Sequence, residues 1–394
     1  MSSWLPINHG SAFTFGSTEL TFLILFVMVI LLVPGHAIFT RFISVLALSA
    51  VTYKLQEVFF RLCNNPHWRG FIAPMLCIQL MSASELVLIS RVESAPISAT
   101  SASSIVTRAA RTVDLLWNLR RIGTRWQVKN VPIALPSTRA EFVRRRLITT
   151  AIAYLILDVI ISGPPPPSAP FGPEKRALFQ IGSLSQEDIV FRIIGTASYW
   201  FSAFLTILIV FNITAIAFVL TGLSSPKNCP PFFGSIKDAY TMRHFWGNLW
   251  HQCLRRGLSG HADLMADSIL QIPRGTLLSR YTRIFGAFLI SGLIHHVNDV
   301  AMGVRSADAG SIFFYPLQAL GIMIEDGIQA LTRRLHVSYS VRRLVGYVWV
   351  GVFLAWSTPT LFYPQLRVGT DPGLLLPIHV ARPLINYVKA VWQV

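Results

Sequence analysis

Residues 283–304 read RIFGAFLISGLIHHVNDVAMGV, a plain membrane span but for two adjacent histidines, His295 and His296, near its middle. Ionisable side chains are unfavourable in hydrocarbon, so an intramembrane pair marks a functional position by default. Neutral imidazole is also the usual group for accepting a proton from a hydroxyl near pH 7. On a helix Ser291, His295, Asn298 and Asp299 share one face at i, i+4, i+7 and i+8, with His296 about 100° further round. This spacing brings Asp299 within reach of one ring nitrogen of His295, fixing the tautomer and leaving the other nitrogen as a base. A structural pair bonded to a neighbouring helix is the competing reading. The span alone does not say which of His295 and His296 would be the base.

The rest of the chain agrees with a membrane setting. Of 394 residues 53% are hydrophobic and 13% charged, with a mean hydropathy of +0.53. A soluble chain carries roughly a quarter charged residues. The apolar residues gather in runs long enough for bilayer helices, without the alternation of about ten residues that barrel strands show. The expectation is an all-α integral membrane protein, a bundle of about eight or nine transmembrane helices forming one polytopic domain over 1–394. Expected spans are 20–33, 36–52, 70–90, 147–162, 189–220, 284–303, 312–331, 344–362 and 374–392. No internal repeat is evident, which weakens an inverted-repeat transporter. The serine-rich tract 94–104 is expected to be mobile.

The net charge of +16 is concentrated in loops. Residues 91–146 hold eleven Arg and Lys against three acids, and residues 222–283 hold eight against three. Two spans separate these loops, so both fall on one side, which the positive-inside rule makes cytoplasmic. Arg333, Arg334, Arg342 and Arg343 mark a third such loop, and the prolines at 164–167 lie opposite. Such loops suit anionic lipid headgroups or a phosphorylated cofactor. Nothing resembles a nucleic-acid module. Cys63, Cys77, Cys229 and Cys253 are scattered and read as reduced thiols, with no metal-ligand spacing. No Lys or Arg precedes the first apolar run, so the first span is expected to be retained rather than cleaved.

A second informative segment, residues 235–256, reads SIKDAYTMRHFWGNLWHQCLRR. Ser235 is a candidate helix cap, with Asp238 near the capping-box position. A helix through this segment would align His244, Asn248, His251 and Arg255 in one polar stripe, with Trp246 and Trp250 on the remaining surface. It would lie at the membrane interface, where Trp rings prefer to sit. Its stripe either faces water or serves chemistry; periodicity leaves both open. Glu325 and Asp326 lie in an apolar run and are expected to pair with loop arginines, Asp158 is expected at an interface, and His36 and His67 are isolated.

Together these segments resemble the wax-synthase-like branch of the membrane-bound O-acyltransferases. That branch carries a motif of the type FWgrxWHq on a cytoplasm-facing loop, here residues 245–252, and SGLxH in a following span, here residues 291–295. Pro230, Pro231, Phe232, Phe233, Gly234 and Ser235 resemble the entry to the loop, so the resemblance covers about residues 225–300. It implies a buried reaction chamber in which an acyl group passes from acyl-CoA to a hydroxyl. His295 then becomes the catalytic base, and His251 matches the second family histidine. Asn248 stands where related sequences are often basic, and His296 where they often have an acid, which makes Asp299 a candidate partner for the base. His251 or Asn248 would donate to the developing oxyanion, a contribution of ~3 kcal/mol.

Coenzyme A would enter from the cytoplasmic face, near Arg243, Arg255, Arg256, Trp246 and Trp250, and no metal is required. The branch includes fungal enzymes that acetylate terpenoid and other secondary-metabolite alcohols, which implies acetyl-CoA, a lipophilic alcohol and an endoplasmic reticulum membrane. Long-chain wax ester synthesis is the alternative within the class. A proton-coupled transporter and a membrane terpene cyclase are the alternatives outside it.

Overall fold

A computed structural model of the chain describes residues 9–93, 104–163, 166, 168–176, 178–179, 182, 184–383 and 387. The serine-rich tract 94–103, three of the four prolines at 164–167, and residues 384–386 and 388–392 of the expected last span lie outside them. Among the described residues the secondary structure is helical throughout, with no strand. The helices are α1 (His9–Leu32), α2 (Ile38–Leu62), α3 (Pro66–Ser84), α4 (Ile105–Trp117), α5 (Arg139–Ile161) and α6 (Gln186–Leu220). They continue with α7 (Arg255–Leu264), α8 (Leu277–Ala301), α9 (Ser311–Leu331), α10 (Tyr339–Ser357) and α11 (Pro359–Arg367).

Among the described residues seven helices are long and apolar enough to cross a bilayer, and they correspond to seven of the nine expected spans. The fourth expected span is helical as well, but α5 begins with Arg139 and carries Arg144, Arg145 and Arg146 in its second turn. The 35-residue α6 is one continuous rod, about 52 Å long at 1.5 Å per residue, so it exceeds a hydrocarbon core of about 30 Å.

Local chemistry sets the helix starts. Asn65 accepts from the backbone N–H groups of His67 and Trp68, with Pro66 at the first helical position of α3. Thr138 with Glu141 closes a capping box on α5, and Ser185 with Asp188 does so on α6. Thr276 caps α8 through the Ser279 N–H. Pro34-Gly35 separates α1 from α2, as an imino acid and a flexible residue should.

The chain divides into two compact units. The first comprises residues 1–128 and 253–320 and is cored by Phe22, Phe26, Leu48, Leu55, Leu86 and Leu116. Within it α3 and α8 pack together, with Ile78, Met81, Leu254 and Ile294 at a second apolar cluster. Arg41 is fully buried there and donates to four backbone carbonyls: Val33 (2.7 Å), Pro34 (3.1 Å), Val87 (2.9 Å) and Val92 (2.9 Å). These lie where helices end and carbonyls run short of helical partners, so the guanidinium acts as a shared cap, joining the Ala37 N–H at the Pro34 carbonyl.

The second unit comprises residues 129–252 and 321–394, built on α5 packed along α6. Its cores are Ala153, Leu157, Leu205 and Ile209, and an aromatic group of Phe171, Phe362 and Tyr363. Asp158, near the end of α5, is fully buried; it accepts from His379 and from the Val380 and Ala381 N–H groups, each at 2.7 Å. The carboxylate thereby holds residues 379–381 against α5.

Candidate active site

In the first unit, His295 lies on an unbroken helix, as its spacing predicts. Its Nδ1 is 2.8 Å from the carbonyl oxygen of Ser291, one turn back. A carbonyl only accepts, so Nδ1 carries the proton and Nε2 keeps its lone pair. The ring of Tyr315, on α9, lies against the imidazole with centroids 4.3 Å apart and planes 32° apart. Gly292 permits this approach, since a Cβ there would sit 3.0 Å from the Ser311 carbonyl oxygen.

The expected role of Asp299 needs correction. Its Oδ2 accepts from the Ser311 N–H (3.2 Å) and hydroxyl (2.6 Å), so the carboxylate caps the start of α9, and the tautomer of His295 is set by the Ser291 backbone. The periodicity placed Asp299 on the correct face but could not say what α9 would bring there. Asn298 donates to Asp299 Oδ1 at 3.4 Å, and His296 Nε2 lies 3.0 Å from the Ser306 hydroxyl in the turn after α8.

In the second unit the expected continuous helix over 235–256 does not form. Ser235 accepts from the Lys237 N–H over a short 3-10 turn at Ile236–Asp238, and Thr241 restarts the chain as a single helical turn at Met242–His244. A π-helical turn follows at Phe245–Leu249, and Trp250 is extended (φ −67°, ψ 149°). His244, Asn248, His251 and Arg255 therefore do not share a stripe. The reason lies in competing polar contacts. Gln252 donates to the carbonyls of Trp246 (3.0 Å) and Trp250 (2.5 Å), and the Gly234 N–H takes the Leu249 carbonyl at 2.9 Å. Gly234 lies flat against the Asn248 carbonyl, where no Cβ would fit.

Aromatic rings then hold residues 230–253, a strap without a continuous helix. His251 packs on Phe232 (5.4 Å), Trp250 (5.5 Å) and Phe233 (6.0 Å). Trp200 from α6 meets Trp250 (5.0 Å), Trp246 (5.7 Å) and Phe245 (6.1 Å) edge-on, and donates to Thr358 at 3.0 Å. Polar anchors complete the support. Arg146 donates to the Cys229 carbonyl (2.9 Å) and to Asn212 (2.6 Å), and Asn130 donates to Asn248 Oδ1 (2.8 Å) and the Gly247 carbonyl (3.0 Å). Glu325 accepts from the Met242 N–H at 2.7 Å, and Asp326 pairs with Arg243 at 2.6 Å. The expectation that these acids would take up loop cations thus holds for Asp326. Asn130, Arg146, Asn212, Trp200 and Tyr315 escaped the sequence reading, because each acts across a long separation and none belongs to a spaced pattern.

The arginines expected to meet a phosphorylated cofactor differ in setting. Arg243 is engaged by Asp326, and Arg256 by Glu85 (2.8 Å) and Ser90 (2.7 Å), with Arg121 on the other Glu85 oxygen at 2.9 Å. Glu85 and Arg121 are buried, so this triad reads as a helix-seam lock. Arg255 is half-buried, and desolvation pulls its pKa down. The cysteines are free thiols, and burial pushes Cys253 up to about 12. Among the described residues no group of His, Cys, Asp or Glu could hold a metal ion.

Comparison with known proteins bears on these sites. A family model described as membrane bound O-acyl transferase family matches residues 229–316, which contain both motif histidines. The chain is 34% identical over 291 residues to the acetyltransferase aurG of Calcarisporium arbuscula, covering 70% of this chain and 71% of that one. It is 33% identical to the acetyltransferase ataH of Aspergillus terreus, covering 71% of this chain and 96% of that one. It is 25% identical to the acetyltransferase TRI7 of Fusarium sporotrichioides, over 89% and 86% of the two chains. No solved structure matches the chain.

Proposed function

The chain belongs to the membrane bound O-acyl transferase family, and from that premise we propose that it moves an acetyl group from acetyl-CoA to the hydroxyl of a terpenoid or other lipophilic secondary-metabolite alcohol. The acetyl donor is supported by relatives that carry the name acetyltransferase. The acceptor class follows from the resemblance to fungal enzymes of this kind.

His295 is the base in this reading. The observation that carries it is the Nδ1 contact to the Ser291 carbonyl, which leaves Nε2 as a proton acceptor. An alcohol is a poor nucleophile until a positioned base takes its proton during attack. As Nε2 accepts that proton, the alcohol oxygen bonds to the thioester carbonyl carbon and the carbonyl electrons move onto oxygen. Collapse of this tetrahedral species expels the coenzyme A thiolate, which recovers the proton from the imidazolium. Acetyl ester and free coenzyme A result, and the base is regenerated.

By the family motif His251 and Asn248 are the second functional group, as donors to the developing oxyanion. Arg255 is the cation we assign to the coenzyme A phosphates, beside Arg256, which Glu85 and Ser90 hold in place. Ser291, Asn298 and His296 shape the environment of the base. The enzyme would reside in the endoplasmic reticulum membrane with its arginine-rich loops facing the cytosol.

The test is transfer of labelled acetyl from acetyl-CoA by purified protein to a panel of terpenoid, sterol and long-chain alcohols. Acetyl ester formation that vanishes in His295→Ala is the expected result. Transfer that survives this substitution removes His295 from the mechanism, and a preference for long acyl donors and long-chain alcohols would make the enzyme a wax ester synthase. Arg255→Glu should raise the KM for acetyl-CoA severalfold more than that for the alcohol, and equal effects would remove the cofactor role.

A further inference from the structure

We propose that Asp299 positions His295 through the start of α9, without touching the imidazole itself. Its consequence for rate rests on the acyl-transfer reading above, but its geometry does not. Asp299 and Ser311 are both fully buried, and the carboxylate takes both the backbone N–H and the hydroxyl of Ser311, the first residue of α9. The helix origin is thereby tied to α8. One turn further along α9, Tyr315 lies against the face of His295. Between these two contacts Gly292 lets the backbones close, because a Cβ would stand 3.0 Å from the Ser311 carbonyl oxygen and 3.4 Å from Tyr315 Cβ.

The mechanical argument is short. A single hydrogen bond at Nδ1 fixes one atom of the imidazole and leaves the ring free to swing about that contact. A second ring laid on its face removes the swing and so aims the Nε2 lone pair. Tyr315 can do this only while α9 holds its register on α8, and the Asp299–Ser311 pair sets that register. Asp299 is therefore a positioning residue, and a base aimed wrongly by about 1 Å can lose on the order of a hundredfold in rate.

The first measurement needs no substrate. Full-length protein in detergent, with 15N-labelled histidine, should show an Nδ1–H tautomer signal that disappears in His295→Gln and is distinct from that of His261, whose Nδ1 also faces a carbonyl. That signal should persist in Tyr315→Phe, which keeps the ring, and should shift or broaden in Tyr315→Leu, Ser311→Ala and Asp299→Asn. Ser311→Ala removes one hydrogen bond and leaves the backbone bond, so it serves where Asp299→Asn fails to fold. A His295 signal unchanged in Ser311→Ala and in any folded Asp299→Asn protein overturns the proposal.

The second measurement is kinetic. Asp299→Asn and Tyr315→Leu should each lower kcat by about 10- to 100-fold while the KM for acetyl-CoA stays within about twofold. Because both act through one contact, the double variant should be no slower than the worse single one. Effects that multiply overturn the proposal. Wild-type protein with no acyl transfer at all would instead defeat the functional reading, while the spectroscopic comparison would still decide this one.

Discussion

His295 sits on an unbroken helix whose own Ser291 carbonyl holds the ring, whereas His251 lies on chain that has left its helical turn at Trp250 and is held by aromatic neighbours. The first environment is specified by backbone geometry and one partner helix. The second is assembled from α6, residues 230–235 and the π-helical turn, with polar anchors from Arg146, Asn130 and Glu325. The difference teaches how each should fail. His295 meets one ring, Tyr315, so its removal should disturb less than removal of His251, which packs on three.

The sharpest way to break this contrast is a pair of truncations. His295→Ala should lose about 10²- to 10⁴-fold in acetyl transfer with its melting temperature nearly unchanged. His251→Ala should lose activity and also stability, by about 1–3 kcal/mol, because it opens a void against Phe232, Phe233 and Trp250. Thermal melts run beside the assay separate the two, and equal melting losses would erase the distinction.

A second pair uses glycines of the strap. Gly234→Ala should destabilise by about 1–3 kcal/mol, since its Cβ would collide with the Asn248 carbonyl, while Gly247→Ala should change the melt by less than about 1 kcal/mol because it faces open space. Arg146→Ala comes next, at about 1–3 kcal/mol, for it abandons the Cys229 carbonyl and the buried Asn212. Proteolysis near residue 229 should then quicken, and an unchanged cleavage rate would count against the anchor.

The smallest expected effect concerns Cys253. With its pKa raised to about 12 by burial, the thiol stays protonated at neutral pH. Maleimide labelling should be slow there and rise about tenfold for each unit of added pH. Fast labelling near neutral pH would show the end of the strap to be far more open than its packing.

Much of the His295 region was legible because its information is local. A run of apolar residues, a 3.6-residue period and two histidines place Ser291, His295 and Asp299 on one helix face without reference to anything else. What periodicity could not reveal is that the neighbouring helix would bring Ser311 to Asp299 and Tyr315 to the imidazole. In the 235–256 segment the same period misled. Its aromatic and polar residues fit a helix by spacing, yet the Gln252 amide and the Gly234 N–H claim carbonyls that a continuous helix would need. The motif resemblance that points to His251 does not depend on that helix, since a family pattern records residue identity and not backbone path.

Arg41 carries a consequence for how the chain is made. Its acceptors at Val33 and Pro34 are synthesised just ahead of it, but those at Val87 and Val92 follow about fifty residues later. Until they leave the ribosome the guanidinium is only half satisfied and has reason to linger near the headgroups. Membrane insertion of the first hairpin should therefore finish late, when the third helix arrives to close it.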